Sequence, residues 1–390
     1  MREVMTGYVE RGEVPGLVTA VSRRGELRVE TIGAKELGGG EPIRRDTIFR
    51  IASLTKPVTA AAAMILVEEC VLRLDEPVDK LLPELADRRV LKRVDGPLDE
   101  TVPANRPITL RDLLTFRLGW GLVLGSPEQY PILRAVNELG LAGFGPPMPE
   151  MPHDPDDWLK RLSTLPLMYQ PGERWLYNTG SYVLGVLIAR ASGQSLEGFL
   201  RERIFSPLGM NDTAFSVPES KLDRLATAYQ ADHVTGTLSL DDAVADSKWS
   251  RPPAFEDAGA GLVSTVDDYL AFGRMMLDMG KSGGGRILSR LSVETMTTDQ
   301  LTPTQKAVSG FFPGYFDNRG WGFGVAVVTG RDDVSAVPGR FGWDGGSGTS
   351  WWADPREDLT AILLTQRGGF PLASGAYLDF WTSVYQAIDD

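Results

Sequence analysis

The sequence predicts a mixed α/β (α+β) fold: an antiparallel sheet built from both chain ends, helices on its faces, and a mostly helical region inserted between. Three observations carry this. Strand-like runs cluster at the two ends, capped helical segments occupy the middle, and an amphipathic stretch closes the chain. Gly16–Ser22 and Glu26–Ile32 are β-rich runs joined by Arg23-Arg24-Gly25, which reads as a hairpin. Trp321–Thr329, Thr349–Ala353 and Leu359–Gln366 are further strands, the last two joined by the turn Asp354-Pro355-Arg356-Glu357. Tyr377, Phe380, Trp381, Val384, Tyr385 and Ile388 follow helical spacing, giving a closing helix with one apolar face suited to covering a sheet. The sheet domain is expected over 1–50 and 255–390, the helical domain over 51–254, with the active site at their junction.

Helix starts mark the middle. Thr109-Leu-Arg-Asp112 and Ser264-Thr-Val-Asp267 fit the capping-box spacing with Asp as the fourth residue, and Ser195 caps a helix that stops before Pro207-Leu208-Gly209. Pro146, Pro147, Pro149, Pro152 and Pro155 make 145–155 an extended surface loop. The glycines at 38–40 and 283–285 lack the Lys-Ser/Thr of a phosphate cradle.

Composition excludes several classes of function. The 390 residues carry 40 Lys and Arg against 52 Asp and Glu, a net charge of −12, which repels nucleic-acid phosphates and anionic membrane surfaces. Only one cysteine, Cys70, is present, so internal disulfides and thiolate zinc sites are excluded. Cys70 reads as a packing residue near the end of a helix, and Met275, Met276 and Met279 as core or cleft lining. The two histidines, His153 and His233, lie in loop-like sequence without metal-ligand spacing. A Ser-His-Asp triad therefore has little to draw on, and no Gly-x-Ser-x-Gly elbow exists. The first residues are charged throughout, and no run of 18 apolar residues occurs. A cytoplasmic protein acting on a small molecule, with no nucleic-acid or membrane partner, is expected.

One local pattern carries chemistry. Phe49-Arg-Ile-Ala-Ser53-Leu-Thr-Lys56-Pro57 leads into Val58-Thr-Ala-Ala-Ala-Ala-Met-Ile-Leu, a strong helix former. Proline lacks an N–H and clashes with the carbonyl four residues back, so Pro57 belongs in the first turn. Counting back sets Ser53 at or beside the N-cap, near unpaired backbone N–H groups and the positive end of the dipole. Lys56 stands one turn on, on the same face. That geometry suits a nucleophile: the ammonium can lower the hydroxyl pKa, or a neutral lysine can accept its proton. A capping serine followed by a surface lysine is the bland alternative.

With that helix placed, the chain resembles the serine β-lactamase and penicillin-binding-protein superfamily, and most of all the class C β-lactamase-like branch that includes the family VIII carboxylesterases. The segments that carry the resemblance stand in the family's order: FRIASLTKPVTAAAAMILVEE, LRLDEPVDKLLPEL, ITLRDLLTFRLGWG, the long stretch from Leu165 to Phe215, and AGAGLVSTVDDYLAFGRMML. The resemblance implies that Ser53 is acylated and that Lys56 is its partner. Tyr177, in Tyr177-Asn178-Thr179 after Pro171-Gly172, matches the tyrosine that shares the general-base role and protonates the leaving group. A neighbouring ammonium is expected to favour its phenolate. Thr179 stands where many members have Asn, and Asn178 is a candidate substitute. Trp343, in Phe341-Gly342-Trp343-Asp344-Gly345-Gly346, occupies the family's Lys or His position, and the N–H groups of Ser53 and Gly346 are the implied oxyanion donors.

Substrate contacts are expected from Trp343, Asp344, Gly345, Trp120, Thr179 and Trp351; Trp175 and Trp352 also lie in or beside the motifs. A lysine at position 343 would pair with a carboxylate, whereas tryptophan offers apolar area and one donor. A neutral ester fits that pocket better than an anionic β-lactam. The expectation is a serine carboxylesterase for short or medium acyl chains, needing no metal or organic cofactor. β-Lactamase, D-aminopeptidase, amide hydrolase and acyltransferase are the alternatives within the superfamily, and a non-catalytic binding protein is the alternative outside enzymes.

Overall fold

The structure, a computed structural model, describes residues 1–141, 151–283, 285–369 and 374–389. Its centre is a seven-stranded antiparallel sheet. The strands are β1 (Gly16–Arg23), β2 (Glu26–Gly33), β3 (Arg319–Trp321), β4 (Ala326–Val328), β5 (Phe341–Gly345), β6 (Thr349–Asp354) and β7 (Leu359–Thr365), in the spatial order β3-β4-β5-β6-β7-β1-β2. The two chain ends meet where β1 pairs with β7, from Leu17 opposite Thr365 to Arg23 opposite Leu359. The N-terminal hairpin forms as predicted, with Gly16 opposite Gly33.

Adjacent residues on β6 show how the sheet is covered. Successive side chains alternate faces. Trp351 packs on Tyr269 and Phe272 of α5 (Val266–Leu277), with ring centroids 5.7 Å from each. Trp352 points the other way, under the Arg340 guanidinium that also covers Trp381 of the closing helix α6 (Gly375–Tyr385). Trp381 donates to Ser350 Oγ at 3.1 Å and the Tyr385 hydroxyl to Asp354 at 2.9 Å, fixing that helix to the sheet. The first helix α1 (Arg2–Glu10) lies beside it, tied by Tyr8 to Asp379 at 2.6 Å. With both faces covered, β6 and β7 are buried at every position. That explains their continuous apolar character in place of alternation.

The helical segment holds α2 (Thr55–Glu68), α3 (Leu110–Leu114) and α4 (Thr179–Ser192), which pack on one another and share one apolar core with the sheet. Thr109 starts α3 with a complete capping box, its hydroxyl accepting from Asp112 N–H while Asp112 accepts from Thr109 N–H at 3.0 Å. Removing it in Thr109→Ala is expected to cost about 1 kcal/mol, read as a lower urea midpoint. No described helix is long and apolar enough to cross a membrane.

Several expectations require correction. The single strand expected over 321–329 is two short strands, β3 and β4. Gly324 between them has φ +70°, and a Cβ there would stand 2.8 Å from the Lys56 carbonyl oxygen. The chain must turn tightly over α2 at that point, and only glycine fits. The second capping box does not form: Thr265 and not Ser264 caps α5, its hydroxyl accepting from Asp268 N–H, while the Asp268 carboxylate accepts from Asp212 N–H and Thr213 at 2.7 and 2.9 Å. Ser195 caps its helix as predicted, but helical structure continues through a wide π turn at Arg201–Phe205 and ends only at Gly209, φ +71°. The wide turn loosens the spacing just where Pro207 would clash with the carbonyl four residues back.

Cys70 is exposed, not packed, because α2 has ended and residue 70 reverses the chain at φ +60°. His153 bridges the Leu139 carbonyl and Asp157, at 3.1 and 2.9 Å, and His233 is an exposed loop residue. Met275 and Met276 are buried in the core and Met279 is partly buried against it. Pro155 opens a short helix behind the capping Asp154, while Pro146, Pro147, Pro149 and Gly284 lie outside the described residues.

Candidate active site

Ser53 is presented by a strained turn clamped from all sides. Phe49–Arg50 pairs with Val263–Ser264, which lays the segment 257–264 beside the entrance to α2. Ala52 then adopts φ +46°, a left-handed conformation that costs a non-glycine residue on the order of 1 kcal/mol. A single 3-10 turn, Ala52–Leu54, follows before α2 begins at Thr55. Ser53 therefore precedes the helix by two residues and does not cap it, while Pro57 lies in the first turn as its chemistry requires.

Side-chain hydrogen bonds hold three carbonyls in and beside this turn. Thr349 donates to the Ile51 oxygen at 3.0 Å, Thr55 to the Ala52 oxygen at 2.7 Å, and Tyr269 to the Leu54 oxygen at 2.7 Å. A Cβ at Gly345 would stand 2.4 Å from the Ile51 oxygen, so glycine lets the end of β5 close on the turn. Gly346 follows, with open space where its Cβ would be.

Lys56 is buried, 1 % exposed. Its ammonium donates to Ser53 Oγ at 2.9 Å and to the Gly259 carbonyl at 2.7 Å, and lies 4.6 Å from the centre of the Tyr177 ring. Burial pulls its pKa down to about 7, opposed by the nearby Asp257 carboxylate. Asp257 is itself buried, and its Oδ1 accepts from the N–H groups of Gly259 at 2.7 Å and Ala260 at 3.0 Å. That turn aims the Gly259 carbonyl at Lys56. Burial raises the Asp257 carboxyl, and the lysine charge pulls it back.

Tyr177 completes the group. Its hydroxyl accepts from Trp343 Nε1 at 2.8 Å and is hydrogen-bonded to Ser53. Phe116, Trp175, Phe311 and Trp343 surround the ring, with centroids 5.1–5.6 Å away. This apolar wall raises the phenol above its ordinary range, the two hydrogen bonds offsetting only part of the burial. The expectation that Lys56 would favour a phenolate is thus corrected: desolvation outweighs the cation, and the hydroxyl stays protonated. The partner that gives up its proton near neutrality is the lysine.

The remaining sequence-predicted residues divide into two groups. Trp343 lies against Tyr177, Gly345 ends β5 beside the nucleophile turn with Gly346 next in the chain, and Thr179 is buried at the first turn of α4. Asp344 and Trp351 are placed elsewhere. Strand alternation sends Asp344 to the closing-helix face, where it accepts from Ser350, Trp352 and Tyr377 at 2.6, 3.0 and 3.1 Å. Trp351 is fully buried on α5 and donates to Thr360 at 3.0 Å. Trp120 is a buried core residue, and Trp352 faces away beside Arg340. The Asn178 amide is taken by the Tyr182 hydroxyl at 2.6 Å, so it does not stand in for the family's asparagine beside the lysine.

Asp257, Gly259 and the left-handed Ala52 were not singled out in the sequence. Acid followed two residues later by glycine, Asp257-Ala258-Gly259, is the available signal for such a turn. Among the described residues no group of three or more His, Cys, Asp or Glu could hold a metal ion. Substituting Trp343 by Phe keeps the ring and removes the donor to Tyr177. About a tenfold lower kcat on p-nitrophenyl butyrate is expected, since one hydrogen bond to a polar reacting group is worth about 1.5 kcal/mol.

Known proteins resemble this chain along most of its length. The family described as Beta-lactamase matches residues 1–380. Protein Rv1367c of Mycobacterium tuberculosis is 42% identical over 365 residues, spanning 92% of this chain and 87% of that protein. Esterase EstB of Burkholderia gladioli is 31% identical over 374 residues, 90% of this chain and 85% of the esterase. The solved structure of EstCE1, described as a hydrolase with promiscuous acyltransferase activity, matches with a TM-score of 0.79 at 24% identity, covering 98% of this chain and 97% of that one.

Proposed function

The chain belongs to the beta-lactamase family, among serine hydrolases and acyltransferases of that type, and from that premise we propose that it hydrolyses neutral carboxylic esters of short or medium acyl chains through an acyl-enzyme on Ser53. The observation that carries this reading is the buried Lys56 ammonium 2.9 Å from Ser53 Oγ, with the Tyr177 hydroxyl on the same oxygen. Neutral Lys56 takes the serine proton as Oγ attacks the ester carbonyl. The N–H groups of Ser53 and Gly346 hold the developing oxyanion. As the C–O bond breaks, the electron pair leaves with the alcohol oxygen, and the proton passes to it through Tyr177. Water then attacks the acyl carbon and gives its proton to the same pair; the acyl carbon–Oγ bond breaks, Ser53 Oγ takes that proton, and the acid leaves.

Two features favour a neutral ester. Trp343 replaces a cation at the pocket wall, and its single donor is already taken by Tyr177. EstB, the relative at 31% identity, is an esterase. Acyl transfer is the companion reaction, because an alcohol can intercept the acyl-enzyme in place of water.

Intact mass after mixing with a panel of small esters tests the reading. A single acyl adduct on the wild type, absent in Ser53→Ala, is expected, together with turnover of p-nitrophenyl butyrate well above that of a chromogenic cephalosporin. Faster cephalosporin turnover, or an adduct that persists in Ser53→Ala, would overturn it.

A further inference from the structure

A cavity of about 760 Å³ opens beside the catalytic group, within the range of small-molecule sites. Trp175, Tyr177 and Phe311 form its inner wall. At its mouth stand Leu124, Val308 and Phe312, which are 63 %, 47 % and 51 % exposed. Exposed apolar side chains scattered singly need no explanation, but three around one opening mark a surface that binds something apolar. The cations that line the cavity are already engaged. Arg174 lies over the Tyr169 ring at 3.9 Å and pairs with Glu173 at 3.4 Å, and Lys306 pairs with Asp299. Asp317, an exposed carboxylate, lines the same space, so the cavity offers nothing to an anionic guest and suits a neutral one.

The chemistry decides which half of the ester goes there, and this step rests on the function proposed above. The proton taken from Ser53 must end on the alcohol oxygen, so that oxygen has to come within hydrogen-bond reach of the Tyr177 hydroxyl. The carbonyl oxygen points the other way, to the N–H groups of Ser53 and Gly346. Tyr177 is also the residue whose ring lines the cavity. The alcohol half, leaving past Tyr177, thus extends along its ring into the aromatic space, and the acyl half is directed away from it.

The geometry points to esters of bulky, neutral, ring-bearing alcohols as the substrate class, with the alcohol half in the cavity lined by Trp175, Tyr177 and Phe311 and capped by Leu124 and Phe312. The same cavity would hold the acceptor alcohol in acyl transfer. Bulk is then accepted in the alcohol half, while the acyl half stays short or medium.

Butyrate esters of primary alcohols of similar basicity provide the test: ethyl, cyclohexylmethyl and 2-(2-naphthyl)ethyl butyrate. All three form the same butyryl-enzyme, so differences in kcat/KM report the alcohol half during acylation alone. kcat/KM is expected to rise at least about tenfold from the ethyl to the naphthylethyl ester, because each apolar group that fits a pocket contributes measurably. Phe312→Asp and Leu124→Asp, exposed positions whose change should spare the fold, are expected to abolish that rise and leave ethyl butyrate unchanged. A flat alcohol series overturns the inference, as does an equal loss on ethyl butyrate, or a stronger preference for long acyl chains in ethyl octanoate over ethyl butyrate. The two readings fail separately. If no ester labels Ser53 the esterase function is lost, whereas a butyryl-enzyme formed at rates indifferent to the alcohol removes only the assignment of the cavity.

Discussion

Lys56→Met should lower kcat/KM on p-nitrophenyl butyrate by about a thousandfold while leaving the protein folded. A positioned general base contributes roughly 10²–10⁴, and Lys56 Nζ is bonded to the nucleophile itself at 2.9 Å. Methionine is unbranched and of similar length, so it fills the buried channel without a cavity. It removes a buried cation, which relieves a desolvation penalty. It also leaves the Gly259 carbonyl, which accepts from Lys56 at 2.7 Å, without that donor, a cost of about 1–3 kcal/mol. These terms oppose each other, so the melting temperature should move by only a few degrees. Lys56→Arg sharpens the result. A guanidinium keeps the positive charge but does not give up its proton near neutrality, so Arg should restore nothing if a neutral amine is the base. Substantial activity in the Arg variant would instead assign the lysine a purely electrostatic role and shift proton removal to Tyr177. Fluorophosphonate labelling of Ser53 should slow in parallel with turnover, since both begin with the same proton transfer.

Much of this site was legible in the sequence because its parts are local. Pro57 restricts where α2 can begin, and that restriction alone puts Ser53 and Lys56 on one face. The hairpin over 16–33 and the strands flanking Asp354 carry their period and turn residues in short windows. What could not be read depends on contacts made across the chain. Asp257 stands some two hundred residues from Lys56 in sequence, and its partnership is created by pairing Phe49–Arg50 with Val263–Ser264. Asp344 and Trp343 are neighbours in one motif, yet a strand sends them to opposite faces, so only Trp343 reaches Tyr177. Trp351 shares Trp343's face and register, as its directly paired neighbour. Tyr269 and Phe272 of α5, packed on its ring, keep it in the core and out of the cleft. The direction of the Tyr177 shift was likewise out of reach. One cation was visible from spacing, but the four aromatic rings whose desolvation outweighs it come from residues 116, 175, 311 and 343.

Activity of the wild type should rise with pH through about 7, the value to which burial lowers Lys56, and Asp257→Asn should move that rise to lower pH by about one unit. The sign follows from the charges facing the lysine. Asp257 stabilises the ammonium and so keeps the proton on; its removal frees the amine earlier as pH increases. The variant should therefore reach half of its own plateau rate at a lower pH than the wild type does. Asn preserves the acceptor oxygen that binds the Gly259 and Ala260 N–H groups, so the turn and the carbonyl aimed at Lys56 should survive. Asp257→Ala loses both the charge and the turn, and should raise KM and lower stability as well.

The other ionisable groups packed here are Tyr177 and Tyr182, each held above its ordinary range by burial and protonated across this interval. Asp257 is raised to about 6, so the wild-type limb belongs to the Lys56–Asp257 pair and should be shallower than that of the Asn variant, where one group remains. If the working form were instead an ammonium beside a tyrosinate, it would carry the same number of protons as an amine beside a phenol, so the limb would keep its direction; Asp257→Asn would then lower the plateau rate about tenfold, because losing the carboxylate disfavours the ammonium. The two proton arrangements thus share a slope and differ in plateau, and a single carboxylate that touches neither substrate nor nucleophile distinguishes them.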